Sequence, residues 1–215
     1  MKRFCKWAGF VGGLGFAAIL PALAGPTTGF HLIPDSYSVQ KPYNLQVSDR
    51  FTAVNGLYTC WVYGNDQPFK EGNTTAPRTE MRWETWPQQT RENMFECDAM
   101  FDSGTTHTCI HQIKSDASTG GGEANYIQVN QAGTLRNSVG ANFASGIANT
   151  WFHINSSFDP ATGLHRIWFN GSLKVSGTYA NTARDWYFKN GTYSNGIATT
   201  ARSWAQFKNV KHWVK

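Results

Sequence analysis

An all-β sandwich of the jelly-roll kind is the fold this sequence predicts, and three observations carry the prediction. Aromatic residues are abundant, with 9 Trp, 8 Tyr and 14 Phe in 215 residues. Gly and Asn punctuate short apolar and aromatic runs. No long stretch has the apolar period of about 3.6 residues that marks an amphipathic helix.

Residues 1–24 read as a secretory leader. Lys2, Arg3 and Lys6 give a positive start, Trp7 to Leu20 an apolar run, and Ala22-Leu23-Ala24 a small-residue cleavage site, with cleavage expected after Ala24. The apolar run is short for a membrane anchor. Cys5 precedes that run, which argues against a lipoprotein. The expected product is a secreted or periplasmic protein, monomeric and not bound to membrane once the leader is removed, with one domain over residues 25–215.

From Gly29 to Tyr43 the Pro and aromatic content predicts an opening strand with irregular coil. Leu57 to Tyr63 is a strand by its β-branched and aromatic residues, closed by the turn residues Gly64 to Pro68. Glu71 to Pro77 is a loop leading into a strand at Arg78. Met94 to Phe101 and Thr105 to Ser115 are expected as a hairpin joined by Asp102-Ser103-Gly104, a register that sets Cys97 opposite Cys109. In an exported protein that pairing predicts a disulfide behind the functional face; a bridge from Cys60 to either cysteine is the alternative. Ser118 to Glu123 is a Gly-rich loop without the Lys-Ser/Thr ending of a phosphate loop. Asn125 to Gln131 is a strand. Trp151 to Phe158, Leu164 to Phe169 and Ser172 to Val175 form a meander through the turns at Asp159 to Gly163 and Asn170-Gly171. Trp204 to Val214 is a final strand.

Alternation within strands shows where chemistry gathers. Arg78, Glu80 and Arg82 emerge on one face while Thr79, Met81 and Trp83 point to the other. Gln112 and Lys114 share a face, with Ile113 turned inward. Tyr187, Lys189, Gly191 and Tyr193 share another, provided no bulge intervenes. Three strands with cationic, amide and phenolic groups suit an anionic ligand rich in hydroxyls. A ladder of surface ion pairs is the plainer alternative for the Arg78 strand.

Arg78-Thr79-Glu80-Met81-Arg82, Gln112-Ile113-Lys114 and Tyr187-Phe188-Lys189-Asn190-Gly191-Thr192-Tyr193 resemble, in order and spacing, the three signature strands of the family 7 polysaccharide lyases, the alginate lyases. The motifs cover few residues, but their order spans most of the chain. Lys114 departs from the pattern, which has His there. The resemblance implies a concanavalin A-like jelly roll with a concave substrate groove. It also implies cleavage of a 4-linked polyuronate by β-elimination, with alginate, glucuronan or a related exopolysaccharide as substrate.

The resemblance carries roles to particular residues. Arg78 or Arg82 with Gln112 would bind the uronate carboxylate, and Tyr193 would pass protons as base and acid. Lys114 would neutralise the carboxylate or favour the Tyr193 phenolate, with action as a base the remaining option. Glu80 would orient the arginines. Lys189, Tyr187, Tyr126 and Gln128 would contact substrate, and His31 is the candidate for replacing the missing imidazole, ahead of His107 and His111. The alternative function is a non-catalytic, lectin-like carbohydrate-binding sandwich.

Composition excludes other classes. The formal net charge is +5, from 19 Lys and Arg against 14 acids. The leader holds three of those cations and no acid, which leaves 16 against 14 and a net charge of +2. A nucleic-acid partner would want a larger excess or a known motif. No metal-ligand cluster stands out among the six histidines and no Asp-rich calcium loop is present, so catalysis without a metal or cofactor is expected. No Glu-x-Asp-x-x-Glu strand supports paired-carboxylate glycoside hydrolysis.

Overall fold

The computed structural model describes residues 25–116, 121–131, 133–180, 184–195 and 201–215. The expected leader and part of the Gly-rich loop lie outside them. No helix among the described residues is long and apolar enough to cross a membrane.

In chain order the strands are β1 (His31–Ile33), β2 (Tyr37–Gln40), β3 (Phe51–Val54), β4 (Leu57–Tyr63), β5 (Arg78–Trp83), β6 (Asn93–Phe101), β7 (Thr108–Ser115) and β8 (Gly122–Gln131). They continue with β9 (Thr134–Asn137), β10 (Asn142–Ala144), β11 (Phe152–Asp159), β12 (Leu164–Phe169), β13 (Ser172–Thr178), β14 (Trp186–Ser194) and β15 (Arg202–Val214). One sheet runs β13-β12-β11-β6-β15-β4-β3, with β1 added on β15; the other runs β10-β9-β8-β7-β14-β5-β2. All pairings are antiparallel. The chain is thus an all-β jelly-roll sandwich.

The inward faces meet in one aromatic core. Phe95, Phe101, Ile154, Ile167 and Phe207 of the first sheet pack with Met81, Ile113, Ile127, Leu135 and Phe188 of the second. Each such side chain contributes about 1.5–3 kcal/mol by leaving water. Trp83 closes one end, its indole N–H donating to Asn190 Oδ1 at 2.6 Å.

Two expectations are corrected. β6 and β7 are not a hairpin: β6 lies between β11 and β15 in the first sheet, whereas β7 lies between β8 and β14 in the second. The residues between them form a crossover. Asp102 accepts from the Thr105 hydroxyl at 2.8 Å, and His107 adopts a left-handed conformation. Cys97 and Cys109 therefore sit on different sheets, and Cys60, Cys97 and Cys109 are all buried free thiols. The expected Cys97–Cys109 disulfide is absent, as is the Cys60 alternative.

The second correction concerns parity. The β7–β14 register slips between Asn190 and Tyr193, and the β7–β8 register slips between Cys109 and His111. This bulge turns Ile110 and His111 both to the core and returns Cys109 to the face that carries Gln112.

His111 is consequently an imidazole in an apolar place, 4.8 Å from the Phe95 ring and nearly parallel to it. Neither ring nitrogen makes a well-formed hydrogen bond, and burial pushes its pKa down to about 3 against an opposing pull from the Lys189 backbone. The folded state holds His111 neutral while the unfolded chain takes up a proton below about pH 6.5, so folding stability falls with pH across the window from 6.5 to about 3. His111→Phe is expected to gain about 1–3 kcal/mol at neutral pH. It should also flatten that acid slope, as measured by urea unfolding at several pH values.

Candidate functional site

The three motif strands are neighbours in the order β7-β14-β5. Tyr193 pairs with Arg78 and Lys189 with Arg82; Lys189 pairs in turn with Gln112, and Tyr187 with Lys114. Residues distant in sequence thereby form rows across the sheet. Close approach of β14 and β5 requires Gly191: it has φ 154°, and a β-carbon there would run into the Thr79 carbonyl.

A groove of about 460 Å³ lies on this face. Arg78, Arg82, Gln112, Lys114, Tyr187, Lys189 and Tyr193 all line it. Tyr126 and Gln128 line an adjoining depression, which shares Gln112, Glu123 and Tyr193 with the groove. Two of the candidate residues are not on that lining. His31 lies on β1, which pairs with β15 in the other sheet, so it supplies no imidazole here. Glu80 is 1% exposed and lies beneath the lining, where its Oε2 accepts from Lys189 Nζ at 2.5 Å and is 3.6 Å from Arg78.

That buried pair organises the floor. Lys189 is 2% exposed, and burial, reinforced by Arg78, pulls its pKa below the usual lysine range against the opposing pull of Glu80. Above it, the Arg78 guanidinium stacks on Tyr193 and that of Arg82 on Tyr187, each 4.0 Å from the ring centroid. Stacking fixes the planes of both forks while leaving donors for a carboxylate.

Burial is the largest influence on the Tyr193 hydroxyl and raises its pKa. Arg78 opposes that rise, while Glu80 and Glu123 add to it. The expected preference for phenolate is therefore reversed, and Tyr193 rests as the phenol.

Several lining residues escaped the sequence reading. Phe69, Lys70, Asn73 and Thr75 come from the loop before β5, and Asp116 and Glu123 from the ends of β7 and β8. Glu123 pairs with Lys114 across the strands, their charged groups 3.9 Å apart. The signal for Glu123 was the cross-strand register, which the β7–β8 bulge hides. Burial raises the Glu123 pKa, with Lys114 opposing. Its ionisation therefore costs stability above that pKa, and the cost is relieved as pH falls. Proton uptake also removes a negative charge from the groove, so anion binding should tighten several-fold as pH falls through the Glu123 pKa, which lies above the ordinary Glu range. Glu123→Gln should bind more tightly at neutral pH and lose that dependence, as read by calorimetric titration with an acidic oligosaccharide.

The donor set suits an organic anion. Lys70, Arg78, Arg82, Lys114 and Lys189 outnumber the lining carboxylates Asp116 and Glu123. No group of three or more potential metal-ligating side chains occurs among the described residues.

Comparison with known proteins follows the same lines. The citrate-binding protein of Hevea brasiliensis is 30% identical over 192 residues, which is 87% of this chain and 79% of that protein. No family model matches the chain. Among solved structures, the alginate lyase AlgAT5 of polysaccharide lyase family 7 superposes with a TM-score of 0.66 at 15% identity, covering 84% of this chain and 94% of that one. The marine alginate lyase AlyA1 from Zobellia galactanivorans gives 0.63 at 14% identity, covering 84% and 94%. A family 7 alginate lyase in complex with product gives 0.66 at 15% identity, covering 89% and 100%. The fold is therefore that of the alginate lyases.

Proposed function

We propose, from the premise that this chain belongs to the family of the citrate-binding protein of Hevea brasiliensis, that it uses the alginate-lyase fold to grip a uronate carboxylate and cleave a polyuronate. The observation that carries this reading is the convergence of Arg78, Arg82, Gln112, Lys114 and Tyr193 on one groove. The substrate is a 4-linked polyuronate such as alginate, glucuronan or a related exopolysaccharide, and the reaction is β-elimination. The protein acts outside the cell or in the periplasm as a monomeric single domain over residues 25–215, after loss of the leader.

Elimination has two electrostatic demands. The proton on C5 is not acidic while the adjacent carboxylate is ionised, so cations and donors must hold the charge of the enolate that forms. Arg78, Arg82, Lys114 and the Gln112 amide are the groups placed to do so. Tyr193 then takes the C5 proton as phenolate and returns it as phenol to the departing C4 oxygen. The C5–H and C4–O bonds break, C4=C5 forms, and one proton moves from carbon to oxygen. Because Tyr193 rests as the phenol, the rate should climb with pH as the phenolate becomes populated.

A second reading has specific support. Lys114 stands where the lyase pattern has His, Tyr193 rests protonated, and the 30% identical relative is named for binding citrate. Those features favour a groove that binds carboxylates without cleaving. Mass spectrometry after incubation with alginate and glucuronan separates the two. Fragments lighter by one water than hydrolysis gives support elimination; intact chains together with measurable binding support the second reading.

A further inference from the structure

The row that contains Tyr193 does not stop at the groove. Arg78 on β5 pairs with Tyr193 on β14, Tyr193 with Cys109 on β7, Cys109 with Gln128 on β8, and Gln128 with Arg136 on β9. Five strands thus place two arginines at the ends of one line, with a phenol, a thiol and an amide between them. Four interstrand steps at roughly 4.8 Å set the two backbones roughly 19 Å apart, and both side chains lean inward along the row, Arg78 over the Tyr193 ring and Arg136 onto Gln128.

Among the described residues no carboxylate forms an ion pair with Arg136. Its Nε donates to Gln128 Oε1 at 2.6 Å. It lines the adjoining depression of about 100 Å³ together with Tyr126, Gln128, Asn195 and Cys109. That space suits a carboxylate group better than a whole sugar. Gln112, Glu123 and Tyr193 line both this depression and the main groove, so the two are continuous. Gln128 occupies the Arg136 Nε and leaves the terminal guanidinium nitrogens for a planar oxyanion.

We infer that Arg136 is a second carboxylate-binding position, so the ligand is an oligomer with carboxylates on more than one unit, lying across β5, β14, β7, β8 and β9. This inference rests on the reading of the groove as a site for acidic sugars and adds its length and direction.

The test is calorimetric titration of the full chain with a uronate monomer, dimer and tetramer, with citrate as the small-acid probe. The wild-type chain should bind the tetramer at least tenfold more tightly than the monomer. Arg136→Gln should weaken tetramer binding about tenfold and leave the monomer unchanged. Arg136→Lys, which keeps the charge, should recover most of the loss and guards against a folding defect in the first variant. Equal affinity of wild type and Arg136→Gln for every length would overturn the inference, as would equal losses for monomer and tetramer. Failure of the wild-type chain to bind any uronate, with citrate binding retained, would overturn the acidic-sugar reading itself.

Discussion

Replacing Glu80 by alanine is expected to cost about 3–5 kcal/mol of folding stability. Glu80 is 1% exposed and accepts from Lys189, itself 2% exposed, so the substitution strands an ammonium inside the sheet. Arg78, 3.6 Å from the same carboxylate, loses its anchor too. Removing both charges should cost much less, because breaking a buried pair is worse than lacking it. Urea unfolding of Glu80→Ala beside Glu80→Leu/Lys189→Met measures the difference. A Glu80→Ala loss below 1 kcal/mol, the range of a surface pair, would mean the pair is solvated and does not support the groove floor.

Tyr193→Phe is expected to lower kcat on a polyuronate by about 10²–10⁴-fold while barely changing binding. The phenyl ring keeps the platform on which Arg78 stacks at 4.0 Å, and only the proton-transferring hydroxyl is lost. Wild-type activity should rise with pH on the alkaline side, because burial raises the Tyr193 pKa and the base is its ionised form. Full kcat in the variant would remove Tyr193 from the chemistry.

The site was legible in the sequence wherever a period of two was enough. Alternation placed Arg78 and Arg82 on one face, and Gln112 with Lys114 on another, and the fold brings these faces together. Alternation fails at a bulge, and the slip at residues 109–111 carries no Gly or Pro to announce it. Cys109 was therefore assigned to the wrong face. The β6–β7 link has the turn residues of a hairpin, yet it carries the chain from one sheet to the other, a choice made by core packing. The expected disulfide failed for that reason. Glu123 and Arg136 belong to the site only through strand register, which no local pattern encodes. His31 was a candidate only as a lone histidine on the irregular entry segment, and the pairing of β1 with β15 puts it on the other sheet.

The most direct test of the whole account is a crystal structure of the Tyr193→Phe chain with an acidic tetrasaccharide bound. The expected result is one uronate carboxylate within hydrogen-bonding reach of Arg78 or Arg82, Gln112 and Lys114, with the C5 hydrogen of that sugar facing residue 193. A tetrasaccharide bound elsewhere on the sandwich, or one whose carboxylates all turn to solvent, would contradict it.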